Sequence, residues 1–107
     1  MVLVVQERTN ELKKHFTIED DVYLFENYTE LTISEFQNKL NIRKQLIRER
    51  IKKYEMRKGN GIGRLELSYK LLLEHGNQRK NINLISELLG ISRQSVKKYY
   101  NIFNNLR

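Results

Sequence analysis

The sequence predicts a mainly α-helical protein built from two tandem three-helix units. The chain of 107 residues contains no proline and only five glycines, so few residues interrupt helices. Apolar residues recur at helical spacing through most of its length. The pattern of apolar and turn residues at 82–103 also occurs 49 residues earlier, at 33–54. The repetition indicates that one helical unit occurs twice.

The downstream copy, residues 82–103, has the pattern of two short amphipathic helices joined at Gly90. Glycine tolerates the left-handed backbone that a tight turn between helices requires. Apolar residues such as Ile85 and Val96 would bury the inner faces, and the small Ser86 would let the second helix approach closely. This pattern is typical of a helix-turn-helix.

The upstream copy, residues 33–54, fits the same pattern less well. Asn41 can replace glycine in the turn. Gln37 is too large for the position of the small residue, however, and Arg50 is polar where an apolar residue is usual. The alignment of the two copies depends mainly on four pairs: Ile33 with Ile82, Leu40 with Leu89, Ile42 with Ile91, and Gln45 with Gln94.

The limits of the predicted elements follow from helix start signals and from the glycines. Thr32 followed by Glu35 predicts a capping box, and Asn81 and Ser92 are the predicted N-caps of the last two helices. The predicted helices are 6–15, 16–26, 33–40, 43–55, 66–75, 82–89 and 92–104. The first unit, with its N-terminal helix, is expected over 1–58, the glycine-rich segment over 59–64, and the second unit over 65–107.

Two structures fit the segment between the units. Three glycines at 59–63 mark a turn, which is compatible with a plain linker. A β-hairpin with strands near 54–57 and 62–67 is the alternative, and it would make the first unit a winged helix. The sequence leaves both open.

Charge is distributed unevenly along the chain, whose net charge is +7. Residues 1–42 contain four Lys/Arg and eight Asp/Glu, a net charge of −4, whereas residues 43–107 contain sixteen and five, a net charge of +11. Such asymmetry suits a protein that places one face on a polyanion and leaves the other for solvent or a partner.

The second helix of each motif carries the candidate DNA-binding residues. Its inward positions are apolar or aromatic, and the outward ones are polar or basic. Arginine can pair with guanine and glutamine with adenine in two-bond geometry, whereas Lys, Ser and Asn more often hold phosphates. The outward candidates are Arg43, Lys44, Gln45, Arg48 and Lys52 in the first unit and Ser92, Arg93, Gln94, Lys97, Lys98 and Asn101 in the second.

Other function classes have little support in the sequence. The chain contains no cysteine, so thiolate chemistry is excluded and a cytoplasmic location is expected. Its two histidines, His15 and His75, occupy non-equivalent positions of the repeat, and no nucleophile–base set stands out. The apolar start at 1–5 is too short for a signal peptide or membrane span. We therefore expect no enzymatic activity, cofactor, metal or membrane association.

The downstream motif resembles the helix-turn-helix family of bacterial and phage transcription regulators. The tandem arrangement is similar to the paired N-terminal DNA-binding modules of Mga-type regulators of Gram-positive bacteria. This resemblance implies double-stranded DNA binding through Arg93, Gln94 and Lys97, with Lys44, Gln45 and Arg48 in the first unit. Mga-type proteins carry further domains downstream, so kinship would make this chain a stand-alone module, a fragment or a small phage or plasmid regulator.

The expected function is that of a sequence-specific double-stranded DNA-binding protein that regulates transcription in a bacterium, phage or plasmid. Two units would let a monomer read successive major-groove faces about 34 Å apart, and a homodimer would double that footprint. The alternative is a protein-binding adaptor, or a phage-type inhibitor of a host nucleic-acid machine, that uses the acidic face at 19–35. RNA binding is disfavoured because no exposed aromatic platform is evident.

Overall fold

Six α-helices make up most of the computed structural model, which describes residues 12–56 and 63–106. The last residues of α2 and α5 are 49 positions apart, and so are the first residues of α3 and α6, as the repeat predicts. None of the helices in these two ranges is long and apolar enough to cross a bilayer. The helices are α1 (Ile18–Asn27), α2 (Ile33–Leu40), α3 (Lys44–Lys53), α4 (Arg64–His75), α5 (Arg79–Leu89) and α6 (Arg93–Asn105).

The turn and cap residues adopt the conformations that their types favour. Asn41 ends α2 with φ 59° and Gly90 ends α5 with φ 70°, so both turns pass through left-handed backbone. Thr32 and Glu35 form the predicted capping box, and the Ser92 hydroxyl accepts a hydrogen bond from the backbone N–H of Ser95. These predictions are confirmed.

One predicted cap is wrong. Helix α5 begins at Arg79, ahead of Asn81, so Asn81 cannot be its N-cap. The Asn81 side chain is buried and donates hydrogen bonds of 3.0 Å to the backbone oxygens of His75 and Gly76. Asn81 therefore satisfies carbonyl groups at the end of α4 rather than N–H groups at the start of α5.

One of the two alternatives left open for 54–67, the hairpin, and the helix predicted at 6–15 are not seen in the described residues. No strand is present at 54–56 or 63–67, because 64–67 is the first turn of α4; the hairpin tip at 57–62 lies outside the described residues. The predicted helix at 6–15 lies mostly outside them too, and its last part, 12–15, is not helical. Instead, Lys13 forms a parallel bridge with Ile42 and donates its N–H to the oxygen of Asn41 at 2.7 Å.

Buried side chains from all six helices form one hydrophobic cluster. Helices α4, α5 and α6 pack on one another, and α2 packs on α3. Helix α1 runs closest to α4 and α5 and reaches α2 through Tyr23, whose ring meets that of Phe36 edge-on at 5.9 Å. The upstream and downstream helices therefore share a core. Its fully buried members include Leu24, Phe36, Ile42, Ile47, Leu67, Leu71, Ile85 and Val96.

At one point this core is ionic. The Asp21 carboxylate of α1 is completely buried and accepts four hydrogen bonds. Arg50 of α3 donates from Nε to Oδ1 at 2.8 Å and from Nη2 to Oδ2 at 2.9 Å. The Tyr54 hydroxyl donates to Oδ2 at 2.8 Å, and His75 Nε2, at the end of α4, lies 2.6 Å from the same oxygen. We call these four residues the Asp21 network; it connects α1, α3 and α4.

The network's hydrogen bonds shift the protonation equilibria of its members. Burial by itself would raise the pKa of Asp21, but hydrogen bonds from His75, Arg50 and Tyr54, together with the charge of Arg50, outweigh it and hold that pKa below its usual value. Burial and the adjacent Asp21 charge raise the pKa of Tyr54, so its hydroxyl stays protonated and donates. The carboxylate is therefore ionised at neutral pH.

Replacing Asp21 by Asn is expected to destabilise the protein by about 3–5 kcal/mol, because it leaves the largely buried Arg50 guanidinium with only the partly exposed Glu74 carboxylate as a counter-charge. That is a large part of the stability of a small domain, which is roughly 5–15 kcal/mol. Urea denaturation followed by circular dichroism measures the loss.

The matched control is Glu26→Gln, which removes an exposed ion pair with Arg64 and is expected to cost no more than about 1 kcal/mol. The double variant Asp21→Asn, Arg50→Met removes both charges and should be more stable than Asp21→Asn alone. Equal losses for Asp21→Asn and Glu26→Gln would contradict the assigned role of the network.

Lowering the pH should weaken the contacts of a second carboxylate, that of Glu74. Hydrogen bonding to Lys53, and then the contact with Arg50, lower the pKa of Glu74 in the folded protein. The pKa of Glu74 is therefore higher in the unfolded chain, about 4.3, than in the folded protein, so the unfolded chain binds the proton more readily. The stabilisation of the fold by Glu74 is complete above the unfolded pKa and is lost as pH falls through the folded pKa. The difference in urea midpoint between wild type and Glu74→Gln should thus be constant near neutrality and shrink below pH of about 4. A difference that grows in acid would refute this.

Candidate nucleic-acid interface

The N-terminal half of α6 presents a polar and basic face. Arg93, Gln94, Lys97 and Lys98 are all exposed, and so are Ser92 ahead of the helix and Asn101 further along it. All six side chains that were predicted to face outward in this unit therefore do so. Residues 76–106 carry five Lys/Arg and a single carboxylate, that of Glu87, so this face belongs to a segment with a net charge of +4.

The opposite side of α6 anchors the helix. Val96 is completely buried against the core. Tyr100 packs partly against it, with its ring centroid 5.8 Å from that of Tyr69 on α4. Phe103 lies 5.2 Å from the same Tyr69 ring. The inward positions predicted for α6 are thus confirmed, and they fix the direction in which the basic face points.

The six exposed side chains differ in how free they are. Gln94, Lys97 and Lys98 have no hydrogen-bond or ion-pair partner within the described part of the chain. Arg93 makes only a long hydrogen bond of 3.5 Å to the Asn83 oxygen. The Ser92 hydroxyl is occupied, because it accepts from the Ser95 N–H and donates to the Ser95 hydroxyl. Ser92 is therefore a capping residue, whereas the others can reach a ligand.

The corresponding face of α3 is more strongly engaged within the protein. Arg43, Arg48 and Lys52 are exposed, as predicted, but Lys44 is only partly exposed. Gln45 donates to the Glu49 carboxylate at 3.4 Å. Glu49 is itself exposed on α3, so a carboxylate interrupts this basic face. The face of α3 is the less cationic of the two.

The two residues that depart from the upstream pattern each make a specific contact. The Gln37 side-chain oxygen accepts a hydrogen bond of 3.2 Å from the backbone N–H of Lys44, at the first turn of α3. The N-cap of α3, Arg43, provides no side-chain hydrogen bond there, so Gln37 caps the helix from its neighbour. Arg50 binds Asp21. Both residues thus support the upstream helix pair in place of the contacts that the pattern would supply.

Sequence reasoning missed three exposed polar side chains of the downstream unit. Arg79 and Lys80 are exposed in the first turn of α5, which begins earlier than predicted. Asn77, in the preceding loop, lines a shallow surface depression of about 200 Å³ together with Lys97 and Asn101. The run of basic residues at 79–80 was visible in the sequence, but the predicted helix start at 82 left it in a loop.

The acidic residues at 19–35, predicted as a face for a protein partner, are mostly used within the fold. Asp21 is buried in its network, and Asp20 and Glu35 accept N-cap hydrogen bonds in capping boxes. Glu26 pairs with Arg64 at 3.1 Å. Of the six carboxylates in this segment, Glu19 and Glu30 are exposed and have no side-chain partner in the described residues, so only part of the acidic charge is left for a partner.

Comparisons with known protein families, with characterised proteins and with solved structures found no match. Within residues 12–56 and 63–106, no group of three or more His, Cys, Asp or Glu side chains is arranged to hold a metal ion. The two exposed basic helix faces are thus the features of the described surface from which a function can be argued.

Proposed function

We propose that this protein is a sequence-specific double-stranded DNA-binding protein that acts as a small transcriptional regulator of a bacterium, phage or plasmid. In this proposal α2 with α3, and α5 with α6, are tandem helix-turn-helix motifs, in keeping with the resemblance to the paired modules of Mga-type regulators. Helices α3 and α6 would enter the major groove.

The observation that carries the proposal is the arrangement of α6. Its inner side is held by Val96 and Tyr100, and Gln94, Lys97 and Lys98 extend from its outer side without a partner in the described residues. A helix of about 10–12 Å diameter fits the major groove, where base edges are read. Arg93 and Gln94 are at the helix start, the part that faces base edges in this motif. Lys97, Lys98 and Asn101 would hold phosphates.

The differences between α3 and α6 suggest that the two helices have different roles in DNA binding. On α3, Gln45 is bound to Glu49 and Lys44 is partly covered, which reduces the groups available for base contacts. Arg43, Arg48 and Lys52 remain exposed and suit phosphate contacts. The upstream motif would therefore position the protein on the DNA backbone, and the downstream motif would read sequence.

The alternative of a protein-binding adaptor has less support. Its main argument was the acidic segment 19–35, most of whose carboxylates have partners within the fold. An interface made of the basic N-terminal half of α6 would also be unusual for a protein partner, since lysine is depleted in protein–protein interfaces. A polyanion matches that face better.

Reversing the charges of Arg93 and Lys97, by Arg93→Glu with Lys97→Glu, should abolish specific DNA binding while leaving the far-ultraviolet circular dichroism unchanged. The reason is that both side chains are exposed, so the change removes two DNA contacts and adds repulsion without disturbing the core. A gel-shift assay on sites selected from random duplex DNA measures the loss.

The control variant is Lys14→Glu with Lys39→Glu, which changes net charge equally at two exposed positions outside α3 and α6. It should weaken binding only modestly, through long-range electrostatics. If the control variant lost as much affinity as the α6 variant, binding would depend on net charge and the proposed recognition helix would be wrong.

Salt should weaken binding steeply if the basic faces contact phosphates. A protein that neutralises six to ten phosphates loses about 10³–10⁵ in affinity between about 50 and 200 mM salt, because the entropy gained by releasing counterions from the DNA decreases as the salt concentration rises. Replacing Lys98 by Ala should reduce the slope of log affinity against log salt by about 1. A shallow slope in the wild type would favour a protein partner over DNA.

A further inference from the structure

The C-terminal half of α6 differs in character from its basic N-terminal half. Residues 99–106 contain no charged side chain and form the longest uncharged run in a chain of net charge +7. Tyr99, Ile102, Phe103 and Leu106 follow one another at the i, i+3, i+4, i+7 spacing of a single helical face. We call these four residues the C-terminal stripe.

The stripe is not fully covered by the rest of the described chain. Ile102 is 46% exposed and Leu106 is 73% exposed, and they are two of the three large apolar side chains exposed in the described residues. Phe103 is fixed underneath by Tyr69 and by Tyr99, whose ring meets it edge-on at 4.4 Å. The stripe is therefore a firmly supported apolar surface that meets solvent.

We propose that the C-terminal stripe is a homodimer contact, in which α6 of one copy packs antiparallel against α6 of a second copy. Ile102 and Leu106 are one turn apart, so a two-fold axis between them would place Ile102 of each copy against Leu106 of the other.

The charge and hydrogen-bonding character of this region fits a second copy better than another occupant. Two copies of a protein with charge +7 repel each other, and residues 99–106 are the longest stretch of the sequence that adds no charge to a contact between them. The stripe is flanked by the exposed amides of Asn101, Asn104 and Asn105. An amide both donates and accepts, so it can pair with its own copy across a two-fold axis. A polyanion would gain no charge contact here.

The small size of the stripe sets the strength of the dimer. Residues 99–106 span about 12 Å along the helix and its C-cap, so the contact falls well short of the roughly 800 Å² per partner of a standard interface. The association is accordingly weak, in the micromolar range or above. It also leaves Arg93 to Lys98 uncovered, so a dimer presents two basic faces at once.

Sedimentation analysis of the full chain without DNA, from about 1 μM to about 1 mM, tests the proposal. The wild type should convert from monomer to dimer with rising concentration, and Ile102→Glu with Leu106→Glu should raise the midpoint concentration at least about tenfold. The control is Leu73→Glu, which replaces the third exposed apolar residue, on α4, and should leave the midpoint unchanged. Circular dichroism verifies that all variants fold.

Cross-linking provides a second readout, since the chain has no cysteine of its own. Under mild oxidation the double variant Ile102→Cys with Leu106→Cys should form a disulfide-linked dimer, and Leu73→Cys should not. A wild type that stays monomeric throughout the range, or a dimer that the double Glu variant leaves intact, would overturn the proposal. Neither outcome bears on DNA binding, because no DNA is present.

Discussion

The arrangement of this fold depends on a single buried carboxylate. Asp21 is fully enclosed yet ionised, and its two oxygens accept hydrogen bonds from α3, from the residue just beyond α3 and from the end of α4. An isolated charge in that position would be prohibitively costly, so each donor is required in its place. Because Asp21 lies on α1, Arg50 on α3 and His75 on α4, any change in the relative position of these helices breaks at least one of these bonds.

This constraint explains why the upstream helix pair departs from its pattern. In the downstream pair the inner faces are apolar, and α4, α5 and α6 pack on one another. Around the upstream pair, α1 packs mainly on α4 and α5, and α3 contacts α1 through the ion pair between Arg50 and Asp21. Buried ion pairs often add little net stability compared with apolar packing, but they are directional. Arg50 thus orients α3 with respect to the shared core where an apolar side chain would only bury area.

The sequence predicts the features that depend on residues close together in the chain, and it does not predict those that depend on residues far apart. The six helices, both left-handed turns and the Thr32 capping box depend on residues close together in the chain, and all were predictable. The Asp21 network joins Asp21 to residues that are 29, 33 and 54 positions away, and the sequence around Asp21 does not indicate which residues these are. One indication was present: Asp21 falls on the apolar stripe of α1, where a carboxylate needs a buried donor. The earlier start of α5 was hidden because Asn81, a favoured cap residue, caps the preceding helix instead.

Ion pairs within the fold determine which positive charges are available to a ligand. Arg50, Lys53, Arg64 and Lys70 all form ion pairs with carboxylates, and so the basic charge in the middle of the chain is largely neutralised within the fold. Apart from Lys14 and Lys39, the positive charge that stays unpaired in the described residues lies on the outer faces of α3 and α5 and on α6. The net charge counted along the chain therefore overstates the positive charge that the upstream face offers to a ligand and understates the positive charge that the downstream face offers. A polyanion would meet its strongest contact at α6, whose direction is fixed by Val96 and Tyr100 and whose C-terminal half is free of charge.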